Sequence, residues 1–207
     1  MPDVNVPGRT MKITECLLDD ENKLLVDGVT LGELIRLSGK QHLWEERRSG
    51  RIDTIVFHYI SAVAVLPGTP YRHEIILKIF CNYGVSSHFL ISRRGRVFLL
   101  VPEDKKAWHC GGSIMPEPDN RQAVNEFSIG IELVATPGSG FTLSQYHAAA
   151  RLCVDLENRY RKRFFYTGHD RIAGERAVTL GLRKEAKVDP GKLFDWEAFF
   201  HLLENNR

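Results

Sequence analysis

A few side chains in this sequence have the types and surroundings that hydrolytic chemistry uses. His58 lies inside the apolar run "TIVFHYIS", where an imidazole needs a hydrogen-bond partner or a metal. His169 follows a small residue at the end of the short strand-like run "FFYTGHD", and strand ends are where sheets present functional groups. Asp189 sits in "KVDPG", two positions after Lys187. If that segment is extended, both side chains point to one side, and Pro190 with Gly191 ends the strand. Two histidines and one carboxylate make a zinc set of three ligands with the fourth position free for water. Each residue also has an ordinary explanation, as a satisfied core histidine or as a surface ion pair beside a turn. Their long separation along the chain gives the set meaning only if a fold brings them together.

Glu132, in "FSIGIELVA", is flanked by Gly130, Ile131 and Leu133. A carboxylate there is costly unless it is paired or faces a cleft. Beside a metal it can take a proton from water, with burial lifting its pKa towards the working range. It equally fits a strand-end glutamate bonded to backbone or to an arginine. With a metal nearby, Lys187 becomes a cation able to stabilise the oxyanion formed when water attacks a carbonyl. The stretch "KKAWHCGGS" reads as a loop. In it Trp108 packs on an apolar substrate face and His109 donates to substrate, or the tryptophan simply covers the core. His88 faces either a cleft or the interior, and His42, His73, His147 and His201 lie on or beside helices and read as packing or surface.

The elements that must position these groups are legible in outline. "KITECLL" and "KLLVDGV" are strand-like around the charged turn "DDEN", and "TLGELIRLSG" is a helix with Thr30 as N-cap, Glu33 three residues on and Gly39 as its stop. The charged stretch "KQHLWEERRSGR" leads into "DTIVFHYIS", too β-branched and apolar for an exposed strand and therefore central in a sheet. "TPYRHEIILKIFCNYG" is apolar at helical spacing, and "SSHFLISR" with "RVFLLVP" forms a hairpin about Arg94-Gly95. A buried strand "FSIGIELVA", a long helix capped by Thr142 or Ser144, a short strand in "KRFFYTGHD" and a closing helix "LFDWEAFFHLL" complete the chain. The fold class is α/β: one domain with a central mixed β-sheet flanked by helices, residues 51–207, preceded by a small N-terminal extension, residues 1–50. Met11 reads as an alternative start, with residues 1–10 an artificial remnant or a disordered tip.

Composition excludes several classes. The chain has 207 residues, enough to bury a sizeable core, with 43% hydrophobic and 26% charged residues. A formal net charge of +2 gives no reason to expect nucleic acid as a partner. No stretch is long and apolar enough for a membrane span, and the N-terminus lacks the features of a secretory signal. Cys16, Cys81, Cys110 and Cys153 form no CxxC pair, which suits a reducing compartment and a cytoplasmic protein.

Taken together, "FHYIS", "VSSHFLISRRGRVFLLVPEDKKAWHCGGS", "NEFSIGIEL", "TGHDRIAG" and "KVDPGKLFDW" resemble the type-2 N-acetylmuramoyl-L-alanine amidases. The motifs come in the family's order over roughly residues 52–200, and the likeness is strongest to the bacterial muropeptide-recycling type. The resemblance implies one zinc ion held by His58, His169 and Asp189, with Glu132 and Lys187 as catalytic residues. It implies that Trp108, His109 and Asn125 line the substrate groove. The reaction implied is hydrolysis of the amide between the lactyl group of N-acetylmuramic acid and L-alanine, in peptidoglycan or its muropeptide fragments. Two other readings stay open: a recognition module that binds peptidoglycan without cutting it, and a phage-type endolysin acting on intact wall. The sequence departs from the family pattern at three places. The segment between His169 and Asp189 is long, so Glu175 or Glu185 can intrude on the site. Cys110 replaces a small residue and is expected to point away from the metal. The extension before residue 50 either covers the groove, dimerises or braces the sheet.

Overall fold

The alternation of side chains along extended segments decides this architecture, because each long strand has apolar residues on both faces. The computed structural model describes residues 11–48 and 50–207; residues 1–10, including the tip discussed above, lie outside the described residues. In chain order the elements are β1 (Ile13–Glu15), β2 (Leu25–Val26), β3 (Val29–Thr30), α1 (Leu31–Leu37), β4 (Trp44–Glu46), β5 (Thr54–Ile60), α2 (His73–Tyr83), β6 (Phe89–Ile91), β7 (Val97–Leu99) and β8 (Lys105–Ala107). A 3-10 turn at Val124–Glu126 precedes β9 (Ser128–Val134), α3 (Leu143–Tyr160), β10 (Phe165–Gly168), α4 (His169–Ile172), α5 (Glu175–Thr179) and α6 (Trp196–Asn206). Six strands form one mixed sheet in the order β1-β7-β6-β9-β5-β10. The run β6, β9, β5, β10 is parallel; β7 is antiparallel to β6, and β1 adds parallel to β7.

One sheet face carries Ile55 and Phe57 of β5 with Ile129, Ile131 and Leu133 of β9, packed against α3 and α6 in the main core. The other face carries Leu90, Phe98 and Val134 against α1 and α2, while Val56 joins Phe127, Ile172 and Cys110 in a smaller cluster beside them. His58 and Glu132 fall on this second face by the period of two. Helix starts follow the local signals. Thr30 and Glu33 form a reciprocal capping box on α1, and Thr142, rather than Ser144, forms the equivalent box with Gln145 on α3. α2 ends at Gly84 in the left-handed region.

Several local expectations are corrected. "KLLVDGV" is two strands, β2 and β3, around Asp27-Gly28, a tight hairpin that the Asp-Gly pair signals. The charged stretch before residue 50 contains β4, antiparallel to β8. Its acidic side chains meet lysines across the pair: Glu46 with Lys105 at 2.8 Å and Glu45 with Lys106 at 2.8 Å. Each run looks like solvated loop alone; opposite charges facing each other make them a ribbon. "KVDPG" is not a strand, since residues 183–189 are irregular.

The segment before residue 50 is tied into the domain at both ends. β1 extends the sheet edge. Just after β4, Arg47 reaches towards the start of β9, donating from Nη1 to Asn125 O (2.9 Å) and from Nη2 to Ser128 O (2.8 Å) and Glu103 O (3.3 Å). Burial pushes its guanidinium down to about 10, so it stays charged at neutral pH. Arg47→Ala leaves these carbonyls without their donor and is expected to cost about 2–3 kcal/mol of stability in urea unfolding. A loss below about 0.5 kcal/mol would mean that water replaces the guanidinium freely.

Candidate active site

Three neighbouring strands bring the chemistry to one level. β5 and β9 pair so that His58 stands opposite Glu132, and β10 pairs with β5 so that Gly168 stands opposite Phe57. The next residue, His169, therefore emerges beside His58 at the C-terminal ends of parallel strands, the usual place for a site in such a sheet. It opens the short helix α4 rather than ending a strand. Asp189 arrives from the loop on the far side of α5, held by Asp170 N donating to Asp189 O (2.7 Å) and by Lys187 N donating to Ala173 O (2.9 Å). Gly168 makes this approach possible: a Cβ there would lie 2.7 Å from Pro190 Cδ and 2.3 Å from Asp170 Oδ1.

His58 Nδ1 and His169 Nδ1 each lie 3.1 Å from Asp189 Oδ2, and the donor atoms of these three residues all fall within 4.8 Å of one another. The second ring nitrogens each have a partner of their own. His169 Nε2 is 3.2 Å from Cys110 O, a carbonyl that can only accept, so the proton sits on Nε2. His58 Nε2 is 3.0 Å from His109 Nδ1, and His109 Nε2 is 3.3 Å from Ser128 Oγ. Protons on both Nε2 atoms satisfy this chain. Burial, reinforced by His169, pushes His58 down to about 4, so it is neutral near pH 7. With protons placed on Nε2, the Nδ1 lone pairs of both imidazoles face one carboxylate oxygen. That arrangement repels itself unless a cation lies among the three, and the donor types suit zinc.

Glu132 is buried, and its Oε2 has no hydrogen-bond partner among the described residues. Burial raises its carboxyl well above the ordinary range; Asp189 adds to the rise and Lys187 opposes it. Neither a backbone group nor an arginine takes up this atom, so the ordinary reading of a paired strand glutamate does not describe it. Lys187 is exposed, and its charge acts on both Glu132 and His58.

The residues expected along the groove are largely committed to the protein. His109 is buried behind His58, and the Nε2 contacts above use both of its ring nitrogens. Asn125 Oδ1 accepts from the backbone N–H of His109 (3.2 Å) and of Cys110 (2.8 Å), fixing the loop. Trp108 is half-buried against the second core and donates Nε1–H to Glu45 of β4 (3.1 Å). Cys110 does not point away: its buried Sγ lies 3.1 Å from His109 Nδ1, and His58, His109 and Cys110 form a second group with metal-ligand spacing. Burial raises the Cys110 thiol well above its usual range, which keeps it protonated and makes that group a support for His58 rather than a thiolate site. Glu175 and Glu185 are exposed and belong to neither group. The reading by sequence missed Gly130 and Ser128, which seat His109; their small size inside an otherwise bulky strand was the available signal.

Two outcomes are expected from this geometry. A Cβ at Gly130 would lie 2.6 Å from the His109 ring, so Gly130→Ala displaces the partner that orients His58. Zinc affinity measured by chelator competition should fall by roughly 10–100-fold. Because the Glu132 carboxyl is raised in the fold, the zinc-free folded protein holds that proton more tightly than the unfolded chain does. Its carboxylate therefore costs stability as pH rises above about 4.3 and continues to do so up to the folded pKa. In zinc-free protein, Glu132→Gln should raise Tm by roughly 2–4 °C or more at pH 8 and by little at pH 4; equal shifts at both pH values would mean that the carboxylate is not the cause.

Known proteins resemble this chain over most of its length. The family profile described as N-acetylmuramoyl-L-alanine amidase matches residues 48–192. The 1,6-anhydro-N-acetylmuramyl-L-alanine amidase AmpD of Citrobacter freundii is 41% identical over 143 residues, covering 68% of this chain and 69% of that protein. The AmpD of Haemophilus influenzae is 32% identical over 160 residues, covering 72% and 80%. Among solved structures, a selenomethionine AmpD derivative superposes with a TM-score of 0.60 at 32% identity, covering 77% of this chain and 89% of that one. AmiD of Escherichia coli, solved with the substrate anhydro-N-acetylmuramic acid-L-Ala-D-γ-Glu-L-Lys, superposes at 0.57 with 26% identity, covering 76% and 60%. This chain belongs to the N-acetylmuramoyl-L-alanine amidase family.

Proposed function

We propose that the protein is a zinc-dependent amidase that hydrolyses the bond between the lactyl group of N-acetylmuramic acid and L-alanine in muropeptides. The observation that carries this reading is the convergence of His58 Nδ1 and His169 Nδ1 on Asp189 Oδ2, beside the unpartnered Glu132 Oε2. When bound by His58, His169 and Asp189, zinc supplies the Lewis acidity that makes a water acidic near neutral pH and polarises the scissile carbonyl. Glu132, one strand away from His58, accepts the proton of the attacking water at its carboxylate and returns it to the leaving amine of L-alanine. Its burial matches that double use, since a raised pKa lies nearer the pH at which the proton must move both ways. Lys187 places its ammonium against the oxyanion of the tetrahedral intermediate. His109 and Cys110 O hold the two imidazoles in the tautomers that leave Nδ1 free.

Small anhydro-muropeptides are the favoured substrates, since the curated relatives reported above are named for 1,6-anhydro-muramyl compounds. The four free cysteines, three of them buried, fit action in a reducing, cytoplasmic compartment. Trp108, through its exposed part, is the groove residue best able to meet a sugar ring; His109 and Asn125 act from behind. A recognition module without catalysis fits less well, because it gives no reason to keep a buried, unpaired Glu132.

Asp189→Ala is expected to lose both zinc and turnover. Glu132→Ala should retain zinc and lose turnover by about 10²–10⁴-fold. The measurement is mass spectrometry of products from anhydro-muropeptide and from intact sacculi, with and without a chelator. Free stem peptide released faster from the muropeptide, and only without chelator, is the expected result. Binding to sacculi with no release from either substrate would overturn the enzymatic reading.

A further inference from the structure

The segment before residue 50 reaches the groove at one side chain. Trp108, read above as the residue that meets the sugar ring, has its backbone clamped by Ser86. Its N–H donates to Ser86 Oγ (2.9 Å), and its carbonyl accepts from Ser86 N–H (3.2 Å). That clamp leaves the direction of the indole open, since χ1 and χ2 can still turn. Two residues of the extension act on the ring itself. Glu45 of β4 accepts the indole N–H on Oε1 (3.1 Å), and the Lys40 ammonium lies 5.8 Å from the ring centroid. Both precede residues 48–192, the span that matches the family profile.

Glu45 is itself held in place. Its Oε1 also pairs with Lys106 Nζ (2.8 Å), from the residue opposite it in the ribbon of β4 and β8. Lys106 is buried and pairs on with Glu126, in the 3-10 turn before β9. Lys106, with Trp108 adding to its effect, keeps the Glu45 carboxyl below its ordinary range, so it is an anionic acceptor at neutral pH. Packing against the second core also restrains the ring, but apolar contact has no preferred direction. The Lys40 cation, far over the face, fixes the ring less than a charge-assisted hydrogen bond at its edge does.

We propose that Glu45 is a positioning residue for sugar binding: it turns Trp108 so that the exposed part of the ring presents a flat apolar surface to the hexopyranose of a muropeptide. The inference rests on the amidase reading above and extends it to a residue outside the matched domain. A sugar ring gains contact with an indole only when the two faces lie parallel. An indole already held in that orientation loses less freedom on binding. Glu45 acts through Trp108 and takes no part in bond breaking.

The test is calorimetric titration of the zinc-loaded full chain with an anhydro-muropeptide, with Glu132→Gln present throughout to stop turnover. Adding Glu45→Ala should weaken binding about three- to fivefold; the Glu45 side chain is 53% exposed, which keeps the effect modest. Glu45→Gln keeps an oxygen acceptor for the indole and should stay within about twofold of the parent. In a Trp108→Phe background, which has no indole N–H, Glu45→Ala should change nothing further. Equal binding with and without Glu45→Ala, the same loss in the Trp108→Phe background, a loss in Glu45→Gln as large as in Glu45→Ala, or no binding by the parent overturns the proposal. The Trp108 indole N–H signal in NMR, identified by its absence from Trp108→Phe, should exchange with solvent faster in Glu45→Ala than in Glu45→Gln. Equal exchange would overturn the proposal as well. In parallel, with Glu132 intact, Glu45→Ala should raise KM by the same factor and leave kcat unchanged; a lower kcat at unchanged KM would overturn the positioning role. Failure of the parental chain to cleave the muropeptide would overturn the amidase reading instead, while the binding ratios still decide the role of Glu45.

Discussion

The hydrogen-bonded register of β9, β5 and β10 is the constraint on which the site depends. With His58 opposite Glu132 and Gly168 opposite Phe57, three separate stretches of chain deliver a carboxylate and two imidazoles to one end of the parallel strands. A slip of one residue would turn His58 into the apolar core against α3 and α6 and bring Phe57 to the face that carries Glu132. The packing that prevents this is extensive on both sides. Ile55, Phe57, Ile129 and Ile131 are fully buried on one face, and Val56 is fully buried on the other. The apolar strand residues thereby hold the polar ones where burial makes them useful.

Around that register, the supporting contacts form one connected layer. The Cys110 carbonyl fixes His169, His109 fixes His58, and Asn125 fixes the backbone of both supporting residues. Two chain segments outside the sheet core close on this layer. From the N-terminal side, Arg47 takes the carbonyls of Asn125 and Ser128; from the C-terminal side, Arg183 takes those of Cys110 and Gly112. Arginine suits both places, because a planar fork with five donors can serve several carbonyls at once and remains charged when partly desolvated. The extension and the long loop thus act on the same few residues from opposite ends of the chain.

Much of this was readable from local pattern. The β-branched runs of β5 and β9, the capping residues Thr30 and Thr142, the Gly84 stop and the hairpin of β6 and β7 follow from short-range sterics and hydrogen bonding, which a few residues decide among themselves. The composition of the site was legible too, since a histidine and a glutamate inside apolar runs demand an explanation wherever the strands end up. What the sequence by itself determined was therefore where the long strands and helices form and which polar residues stand inside apolar runs. Tertiary structure decided what those residues face. That "WEE" and "KKA" become a paired ribbon, that the Cys110 thiol turns inward and that His109 stands behind His58 all depend on contacts between segments far apart in the chain. Partners of that kind are chosen by packing and charge across space, and no window of neighbouring residues contains both halves of the interaction.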